Sequence, residues 1–361
     1  MRLSSNRSTH VEFEGKNYLY FGGTNFLGLA QRPELIEAAL AAFEKFGLSS
    51  GASRLTSGDN EELAGLEREL AQFAASQSAL VLPAGFLSNQ AVVEGLDHKV
   101  DVWIAFAKAH ASIHAALKHS KKEVLFLEDP ECGAAADGLR EHLGLTSRMR
   151  IGLFLEPIFP LKGRLASVCE IRARLAEKDI LILDEAQSMG VLGENGRGAI
   201  EHFKLPPLNL IRTGTFSKAF GAYGGFVLAD PDNLDLIRSR AASVGGSTSL
   251  PPAICAAARA SIRLIENEPE SNIQKLNANI IYLNRLLSEI DLASSKVPIF
   301  YQEASPRLAE IREKLLEEQI YLPSVSSYFS SSSQIGLRWT IQAAHSREQL
   351  DLLVESIKSF L

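Results

Sequence analysis

A glycine-rich string in the second half of the chain reads Thr213-Gly-Thr-Phe-Ser-Lys-Ala-Phe-Gly-Ala-Tyr-Gly-Gly225. It follows an apolar run, and its single lysine, Lys218, stands among hydroxyl-bearing and small residues. A lysine in such a setting can form a Schiff base with the aldehyde of a cofactor, and Thr215 and Ser217 could bind a phosphate of that cofactor. Taken alone, the string is equally compatible with a glycine-rich turn that carries a solvated lysine.

A second string precedes it and reads Asp184-Glu-Ala-Gln-Ser-Met-Gly-Val-Leu-Gly-Glu-Asn-Gly-Arg-Gly198. Asp184 ends an apolar run, so we expect it to project from the carboxyl end of a buried strand, where open α/β sheets bind their ligands. An aspartate there can keep a pyridinium nitrogen protonated and make the ring an electron sink. The alternative is that Asp184 caps a helix.

Further apolar runs lie on both sides of these strings. Their alternate faces are both apolar, which is typical of strands buried on both sides of a sheet. Helical patterns lie between several of them, so the sequence predicts an α/β fold with a mostly parallel sheet. The predicted strands cover residues 79–82, 102–106, 124–127, 151–155, 180–183, 210–213 and 226–229.

Helical patterns dominate after about residue 235. Predicted helices cover residues 61–76, 166–178, 253–266, 273–290 and a last segment that opens with the capping-box spacing of Ser346 and Gln349. We therefore expect an N-terminal segment (1–45), a large cofactor-binding domain (46–235) and a smaller C-terminal α+β domain (236–361). Residues 326–333 are serine-rich and are expected to form a loop.

Composition excludes several classes of protein. The chain of 361 residues has 37 basic and 43 acidic residues and a formal net charge of −6, which disfavours nucleic-acid binding. Its three cysteines have no spacing typical of a disulfide framework or a zinc site, and no metal site is predicted. Without a signal-peptide core or a membrane-spanning pattern, we expect a cytoplasmic protein.

Together the motifs resemble the α-oxoamine synthase family, which comprises pyridoxal-phosphate enzymes of the aspartate-aminotransferase fold (fold type I). The resemblance runs in order over most of the chain and implies a large domain with a mostly parallel seven-stranded sheet and a smaller C-terminal α+β domain. Besides the two strings above, it rests on Thr24-Asn-Phe-Leu-Gly-Leu29, Ser53-Arg-Leu-Thr-Ser-Gly58 followed by Leu66-Glu67, Gly85-Phe86 with Asn89, Ala109-His-Ala-Ser112, Ser247-Thr-Ser-Leu-Pro-Pro252, and Leu337-Arg338 followed by Ala344-His-Ser346.

The resemblance implies a role for each matching residue. Lys218 would bind the cofactor covalently and move the Cα proton, Asp184 would pair with the pyridine nitrogen, and His110 would stack on the ring. Gln187 stands where the family has a histidine on the phenolic oxygen. The phosphate would be held by Gly85, Phe86, Thr215 and Ser217, and by Ser247 and Thr248 of a neighbouring subunit, which implies a homodimer with a shared active site. Arg338, with help from Asn25, would bind the substrate carboxylate.

Two of these residues could instead have an ordinary structural role. His110 could be a hydrogen-bonded polar residue that follows a strand. Arg338 could be a surface arginine, although an unpaired charge in its apolar segment beside Trp339 would be costly.

Several positions depart from the family pattern. Gln187 replaces a histidine and cannot titrate near neutral pH. Pro160 replaces a serine and has neither hydroxyl nor N–H, and Lys162 and Arg164 replace two acidic residues, which is either surface variation or an attraction for an anionic group. Only 23 residues precede Thr24, and Leu63 stands where the family has a histidine.

Because these departures all concern the thioester side of the reaction, three functions stay open. The first is an acyl-CoA:amino acid C-acyltransferase, which condenses an amino acid with an acyl thioester and releases carbon dioxide. The second is an aminotransferase, lyase or decarboxylase on the same fold. The third is a cofactor-binding subunit without activity, against which the retained Lys218 and Asp184 argue.

Overall fold

A seven-stranded sheet forms the centre of this computed structural model, which describes residues 2–128, 139–206, 208–303, 305–323 and 336–360. The described strands are β1 (Ser5–Arg7), β2 (His10–Phe13), β3 (Lys16–Tyr20), β4 (Ser78–Leu82), β5 (Val102–Phe106), β6 (Glu123–Leu127), β7 (Ile151–Leu155), β8 (Ile180–Asp184), β9 (Leu210–Thr215), β10 (Gly225–Ala229), β11 (Ile299–Gln302), β12 (Ile320–Tyr321) and β13 (Leu337–Thr340).

The central sheet has the order β4-β10-β9-β8-β7-β5-β6. Its strands run parallel except β10, which is antiparallel to both β4 and β9. All seven predicted strands are confirmed, with small differences at their ends. Strands β5, β7, β8 and β10 are buried along their whole length, which explains their continuous apolar sequences.

Helices cover both faces of this sheet. The described α-helices are α1 (Pro33–Phe46), α2 (Glu61–Phe73), α3 (Gly85–Leu96), α4 (Ala111–Leu117), α5 (Leu139–His142), α6 (Val168–Arg174), α7 (Ala199–His202), α8 (Pro231–Arg240), α9 (Ala242–Gly245), α10 (Pro252–Asn267), α11 (Lys275–Ser288), α12 (Pro306–Glu317) and α13 (Arg347–Phe360). No helix in the described part of the chain combines the length and the apolar character needed to cross a membrane.

The predicted helices are present with shifted ends. Asn60 caps α2 by accepting from the Leu63 amide at 3.0 Å. Ser346 and Gln349 exchange reciprocal bonds at the start of α13, as the capping box predicts. The helix predicted over 166–178 ends at Arg174, because the Asp179 carboxylate accepts the Ala176 amide at 2.8 Å and draws the chain out of the helix.

Two smaller sheets flank the centre. Strands β1, β2, β3 and β12 form a four-stranded sheet, which the sequence did not predict, and β11 pairs antiparallel with β13 so that Tyr301 lies opposite Arg338. The serine-rich segment 326–333 lies outside the described residues.

A buried ion pair fixes the chain after β8. Arg212 on β9 donates from Nε to Glu185 Oε1 at 2.7 Å and from Nη1 to the Ala74 carbonyl at 2.8 Å. The other oxygen of Glu185 accepts from the Ser188 hydroxyl and the Ala199 amide, both at 2.7 Å. One carboxylate therefore holds the beginning and the end of the loop that separates Asp184 from α7.

Arg212→Leu should lower the free energy of unfolding by about 3–5 kcal/mol, because it leaves the Glu185 carboxylate buried without its cation. Replacing both partners (Arg212→Leu with Glu185→Gln) should cost less than the single change, since no charge is then stranded. Denaturant unfolding of the three proteins measures this. A double variant at least as destabilised as Arg212→Leu would contradict the assignment.

Candidate active site

The carboxyl ends of four parallel strands meet at one edge of the central sheet. At this edge β8 ends with Asp184, β9 with Thr215, and β7 is followed by Glu156, while His110 comes shortly after β5. The antiparallel strand β10 begins at the same edge, just after the string that holds Lys218. The topology thus collects the predicted residues where open α/β sheets bind ligands.

Asp184 is buried and held in one orientation. Asn89 Nδ2 donates to Asp184 Oδ2 at 2.7 Å, and the Ala186 amide donates to Oδ1 at 3.0 Å. Asn89 is oriented in turn by the Thr213 hydroxyl, which donates to its Oδ1 at 2.7 Å. We assigned no role to Asn89 from the sequence, although its place four residues after Gly85 could have indicated one.

His110 caps helix α4. Its Nδ1 accepts the Ser112 amide at 3.2 Å and lies 2.8 Å from the Ser112 hydroxyl. Because a backbone N–H can only donate, the neutral ring carries its proton on Nε2. Burial lowers the pKa of His110, Asp184 opposes that shift, and Lys218 adds to it. The His110 ring is therefore neutral and held in one orientation near Asp184. Its stacking on the cofactor stays a prediction.

Glu156 is a second residue to which the sequence analysis assigned no role. It is buried, and one of its oxygens accepts the His110 amide at 3.0 Å. Burial, with a contribution from Asp184, raises the pKa of Glu156 to about 8, against the lowering effect of the His110 amide and Lys218. The signal was its position directly after the buried strand β7, the same position relative to its strand that drew attention to Asp184.

Lys218 lies half-buried within the electrostatic reach of these carboxyl groups. Burial lowers the pKa of Lys218, Asp184 and Glu156 oppose the shift, and Arg338 adds to it. A lowered pKa raises the fraction of neutral amine, which is the form that attacks an aldehyde. The structure thus places Lys218, Asp184, His110 and Arg338 within electrostatic reach of one another, and their roles stay predictions.

The segment predicted to hold the phosphate brings the start of helix α3 against Thr215. Helix α3 begins at Gly85, and a Cβ added there would lie 2.6 Å from Thr215 Cβ, so only glycine permits this close approach. The Thr215 hydroxyl donates to the Gly224 carbonyl at 2.7 Å, and the Ser217 amide donates back to that hydroxyl at 3.1 Å. The first amides of a helix have no partner within it and point outward, which suits a phosphate.

Gln187 gives a second indication that a ligand binds at this edge of the sheet. Its side chain is buried, and its Oε1 has no hydrogen-bond partner among the residues that the structure describes. An unpaired buried amide oxygen is costly and calls for a donor from a bound molecule. Together with the outward-pointing amides at the start of α3, this unpaired oxygen shows that the residues present suit pyridoxal phosphate.

Arg338 is held by the segment that departs from the family pattern. Its Nε donates to the Pro160 carbonyl at 2.8 Å, and no carboxylate of the described residues pairs with it. Burial lowers the pKa of Arg338 to about 10, partly offset by Tyr20. A half-buried guanidinium with its terminal nitrogens available is suited to a carboxylate ligand.

The remaining predicted residues stand apart from this cluster. Asn25 Oδ1 accepts the Ala30 amide at 3.2 Å and so shapes its own loop, which packs against Gly221 near Lys218. The Ser247 hydroxyl donates to the Ser243 carbonyl at 2.7 Å, and Thr248 is exposed. Phe86 is likewise exposed. The roles of Asn25, Ser247 and Thr248 stay predictions.

Glu156→Gln should make the stability of the cofactor-free protein less sensitive to pH. Between the ordinary pKa of 4.5 and the raised value of about 8, folded Glu156 keeps a proton that the unfolded chain has released. Wild-type stability therefore falls as the pH rises through this window, whereas glutamine does not titrate. The variant should gain on the wild type by up to about 1.4 kcal/mol per pH unit, measured by urea unfolding. A difference that is constant with pH would contradict a protonated Glu156.

The family model for aminotransferase class I and II matches residues 16–357. The 8-amino-7-oxononanoate synthase of Geobacter sulfurreducens is 33% identical over 362 residues, with coverage of 98% of this chain and 92% of that protein. The 8-amino-7-oxononanoate synthase 1 of Bacillus velezensis is 31% identical over 365 residues, with coverage of 99% and 92%.

Solved structures agree with these relatives. The serine palmitoyltransferase of S. paucimobilis with a bound PLP–myriocin aldimine superposes with a TM-score of 0.91 at 25% identity, covering 99% of this chain and 90% of that one. The 8-amino-7-oxononanoate synthase of Francisella tularensis gives 0.80 at 27% identity, with 95% and 97% covered. The chain therefore belongs to the aminotransferase class I and II family and, within it, to the α-oxoamine synthases, which makes it a pyridoxal-phosphate-dependent transferase.

Proposed function

We propose that this protein is an acyl-CoA:amino acid C-acyltransferase similar to 8-amino-7-oxononanoate synthase. It would form a bond between the Cα of an amino acid and the acyl carbon of a thioester, with release of the CoA thiol and of the carboxylate as carbon dioxide. The product is an α-amino ketone. The observation that carries the proposal is a half-buried Lys218 between two buried carboxyl groups and the available guanidinium of Arg338.

Each part of the site has a task in this reaction. Bound pyridoxal phosphate supplies an electron sink for the charge left when the Cα proton departs. Asp184, oriented by Asn89, would pair with its ring nitrogen, and the first amides of helix α3 at Gly85 would hold its phosphate. Lys218 Nζ would accept the Cα proton and return it, and the lowering of its pKa by burial favours the neutral amine that can accept a proton.

Arg338 selects which bond reacts. A guanidinium fixed at Nε by the Pro160 carbonyl keeps its terminal nitrogens for the substrate carboxylate. Holding the carboxylate at one place turns the Cα–H toward Lys218, and this orientation is a large part of the catalytic effect. His110 closes the opposite side as a neutral ring whose imidazole tautomer is set by Ser112.

The first test follows the absorbance of the holoenzyme while a panel of amino acids is added, with acyl-CoA thioesters afterwards. We expect one amino acid to shift the visible cofactor band, and acyl-CoA then to release free thiol with a new ketone. Lys218→Ala should lose the lysine-linked band and at least about a thousandfold in turnover, since it removes both the covalent link and the proton carrier. Arg338→Lys, which keeps the charge but not the bidentate geometry, should mainly raise KM for the amino acid.

The alternative is an aminotransferase, lyase or decarboxylase on the same scaffold. Gln187 favours it, because an amide cannot provide acid–base help to an incoming thioester. Conversion of the visible band to the pyridoxamine form with appearance of a keto acid would establish an aminotransferase and contradict the acyltransferase proposal. No turnover with any amine would leave a cofactor-binding subunit without activity. Cytoplasmic location also stays a prediction.

We further propose that the active unit is a homodimer. Helix α1 exposes an apolar stripe of Ile36, Leu40 and Phe43, which are 48%, 57% and 43% exposed. The spacing of these residues places them on one helical face, and such a face supports burial against a second copy. Ser247 and Thr248 would then reach the phosphate of the neighbouring subunit.

Mixing two inactive variants tests the shared site. One carries Lys218→Ala and the other Ser247→Ala with Thr248→Ala. If these hydroxyls act across the interface, unfolding and refolding a 1:1 mixture should create hybrid dimers with one intact site, so that about a quarter of wild-type activity returns. If they act within their own subunit, the mixture stays as inactive as its components, and the shared site is excluded. Sedimentation velocity on each variant confirms that both still form dimers.

A further inference from the structure

Tyr20 is a half-buried tyrosine at the end of β3, and its hydroxyl has no task in the reaction described so far. This hydroxyl makes no hydrogen bond to any residue that the structure describes, and it interacts electrostatically with Arg338. Asn25, which the resemblance assigns to the substrate carboxylate together with Arg338, uses its Oδ1 to accept the Ala30 amide. The Tyr20 hydroxyl is therefore a polar group near Arg338 that no described residue uses.

The backbone that follows Tyr20 is fixed against the strand that carries Arg338. Tyr20 pairs in parallel with β12, and the next carbonyl, that of Phe21, accepts the Thr340 amide on β13 at 3.0 Å. The Thr340 hydroxyl donates to the Gly23 carbonyl, also at 3.0 Å. These bonds bring the end of β3 beside β13, so the approach of Tyr20 to Arg338 is built into the strand pairing.

Two glycines leave room for the Tyr20 ring on this segment. A Cβ added at Gly22 would lie 2.7 Å from Tyr20 Cε2 and 2.8 Å from its hydroxyl oxygen, and one at Gly23 would lie 3.4 Å from that oxygen. The ring also stacks on Tyr321, with 5.9 Å between the ring centroids and 25° between the planes. The hydroxyl therefore lies over the short segment that joins β3 to Asn25, and packing against both neighbours holds it there.

The Tyr20 hydroxyl and the Arg338 guanidinium can contact the same carboxylate. Burial raises the pKa of Tyr20, with Tyr321 adding to the rise and Arg338 opposing it, so the phenol stays a hydrogen-bond donor at neutral pH. Arg338 is anchored at Nε by the Pro160 carbonyl, and no hydrogen bond joins it to the phenol. Because hydrogen bonds to a charged acceptor are about twice as strong as those between neutral groups, a carboxylate bound by Arg338 would gain from a phenol donor beside it.

We propose that Tyr20 is a substrate-binding residue whose hydroxyl donates a hydrogen bond to the carboxylate held by Arg338. The inference rests on the carboxylate-binding role of Arg338 in the proposed function, and it adds a residue that selects α-amino acids over amines without a carboxylate. The two donors come from different strands, β3 and β13. They therefore fix the orientation of the carboxylate as well as its position, and with it the direction of the Cα–H bond.

Calorimetric titration of the holoenzyme with L-alanine and with ethylamine tests the proposal. Ethylamine is L-alanine without its carboxylate, and the heat of binding is measured for either ligand without any acyl transfer. We expect Tyr20→Phe, which keeps the ring, to weaken L-alanine binding by about tenfold or more and to leave ethylamine binding within about twofold of the wild type. The matched control is Tyr321→Phe, which removes a hydroxyl from the adjacent ring and should bind both ligands as the wild type does.

Two further variants separate the position of the hydroxyl from the stability of the fold. Gly22→Ala is compatible with the backbone, since Gly22 does not have a positive φ, but it places a methyl group where the Tyr20 ring lies. It should reproduce the loss for L-alanine although the hydroxyl is still present. In the Arg338→Lys background, Tyr20→Phe should weaken L-alanine binding by less than about twofold, because the carboxylate is then no longer held where the phenol reaches it.

Unchanged L-alanine binding in Tyr20→Phe would overturn the proposal. The same holds for equal weakening of both ligands in this variant, for an equal effect of Tyr321→Phe, and for wild-type binding of L-alanine that is no tighter than that of ethylamine. All these outcomes concern binding alone. A protein that binds L-alanine through Tyr20 but releases no thiol from acyl-CoA would keep this inference and lose the acyltransferase function.

Discussion

The buried pair of Glu185 and Arg212 is the interaction on which the site depends. It joins β8 to β9 just below the edge where ligands bind, and Glu185 follows Asp184 directly in the chain. The remaining bonds of the pair reach Ala74, Ser188 and Ala199, so a single ion pair fixes the loop that presents Asp184 and Gln187. Such a pair costs desolvation energy and is weak evidence for stability, but both oxygens of Glu185 and all three nitrogens of Arg212 have partners, which gives the pair its orienting role.

At the sheet edge above this pair, the site combines two carboxyl groups, those of Asp184 and Glu156, with the basic groups of Lys218 and Arg338. Asp184 and Glu156 are both buried, and both raise the pKa of Lys218. Lys218 in turn lowers the pKa of Glu156. Burial, with a contribution from Asp184, raises the pKa of Glu156 to about 8, so that its carboxyl oxygen serves as a neutral acceptor for the His110 amide. Burial lowers the pKa of Lys218 against the effect of these acids, and it lowers the pKa of Arg338 against that of Tyr20. The guanidinium of Arg338, fixed at Nε by the Pro160 carbonyl, suits a substrate carboxylate.

The sequence predicted the sheet well and the supporting residues poorly. Strands β5, β7 and β8 are apolar on both faces, a pattern that few other structures produce, and their order along the chain implied a parallel sheet. Lys218, Asp184 and Arg338 stand out because each is a charge among apolar or small residues. Asn89, Glu156 and Arg212 act through contacts with residues 27 to 138 positions away, and no local pattern reports such contacts. The four-stranded sheet was missed for a related reason, since β12 is only two residues long and pairs with β3 across some 300 positions.

Pro160 replaces a serine of the family pattern, but the contact that the structure shows at this position does not depend on the side chain. From the sequence, a proline in place of a serine removes a hydroxyl and an N–H, and the contact of that side chain with cofactor or substrate is lost. The contact that the structure shows is made by the carbonyl, which proline retains, and it is this oxygen that orients Arg338. The fixed φ of proline further restricts the turn between β7 and Lys162. The substitution therefore removes one donor from the site while it stiffens the segment that orients Arg338, the residue proposed to bind the substrate carboxylate.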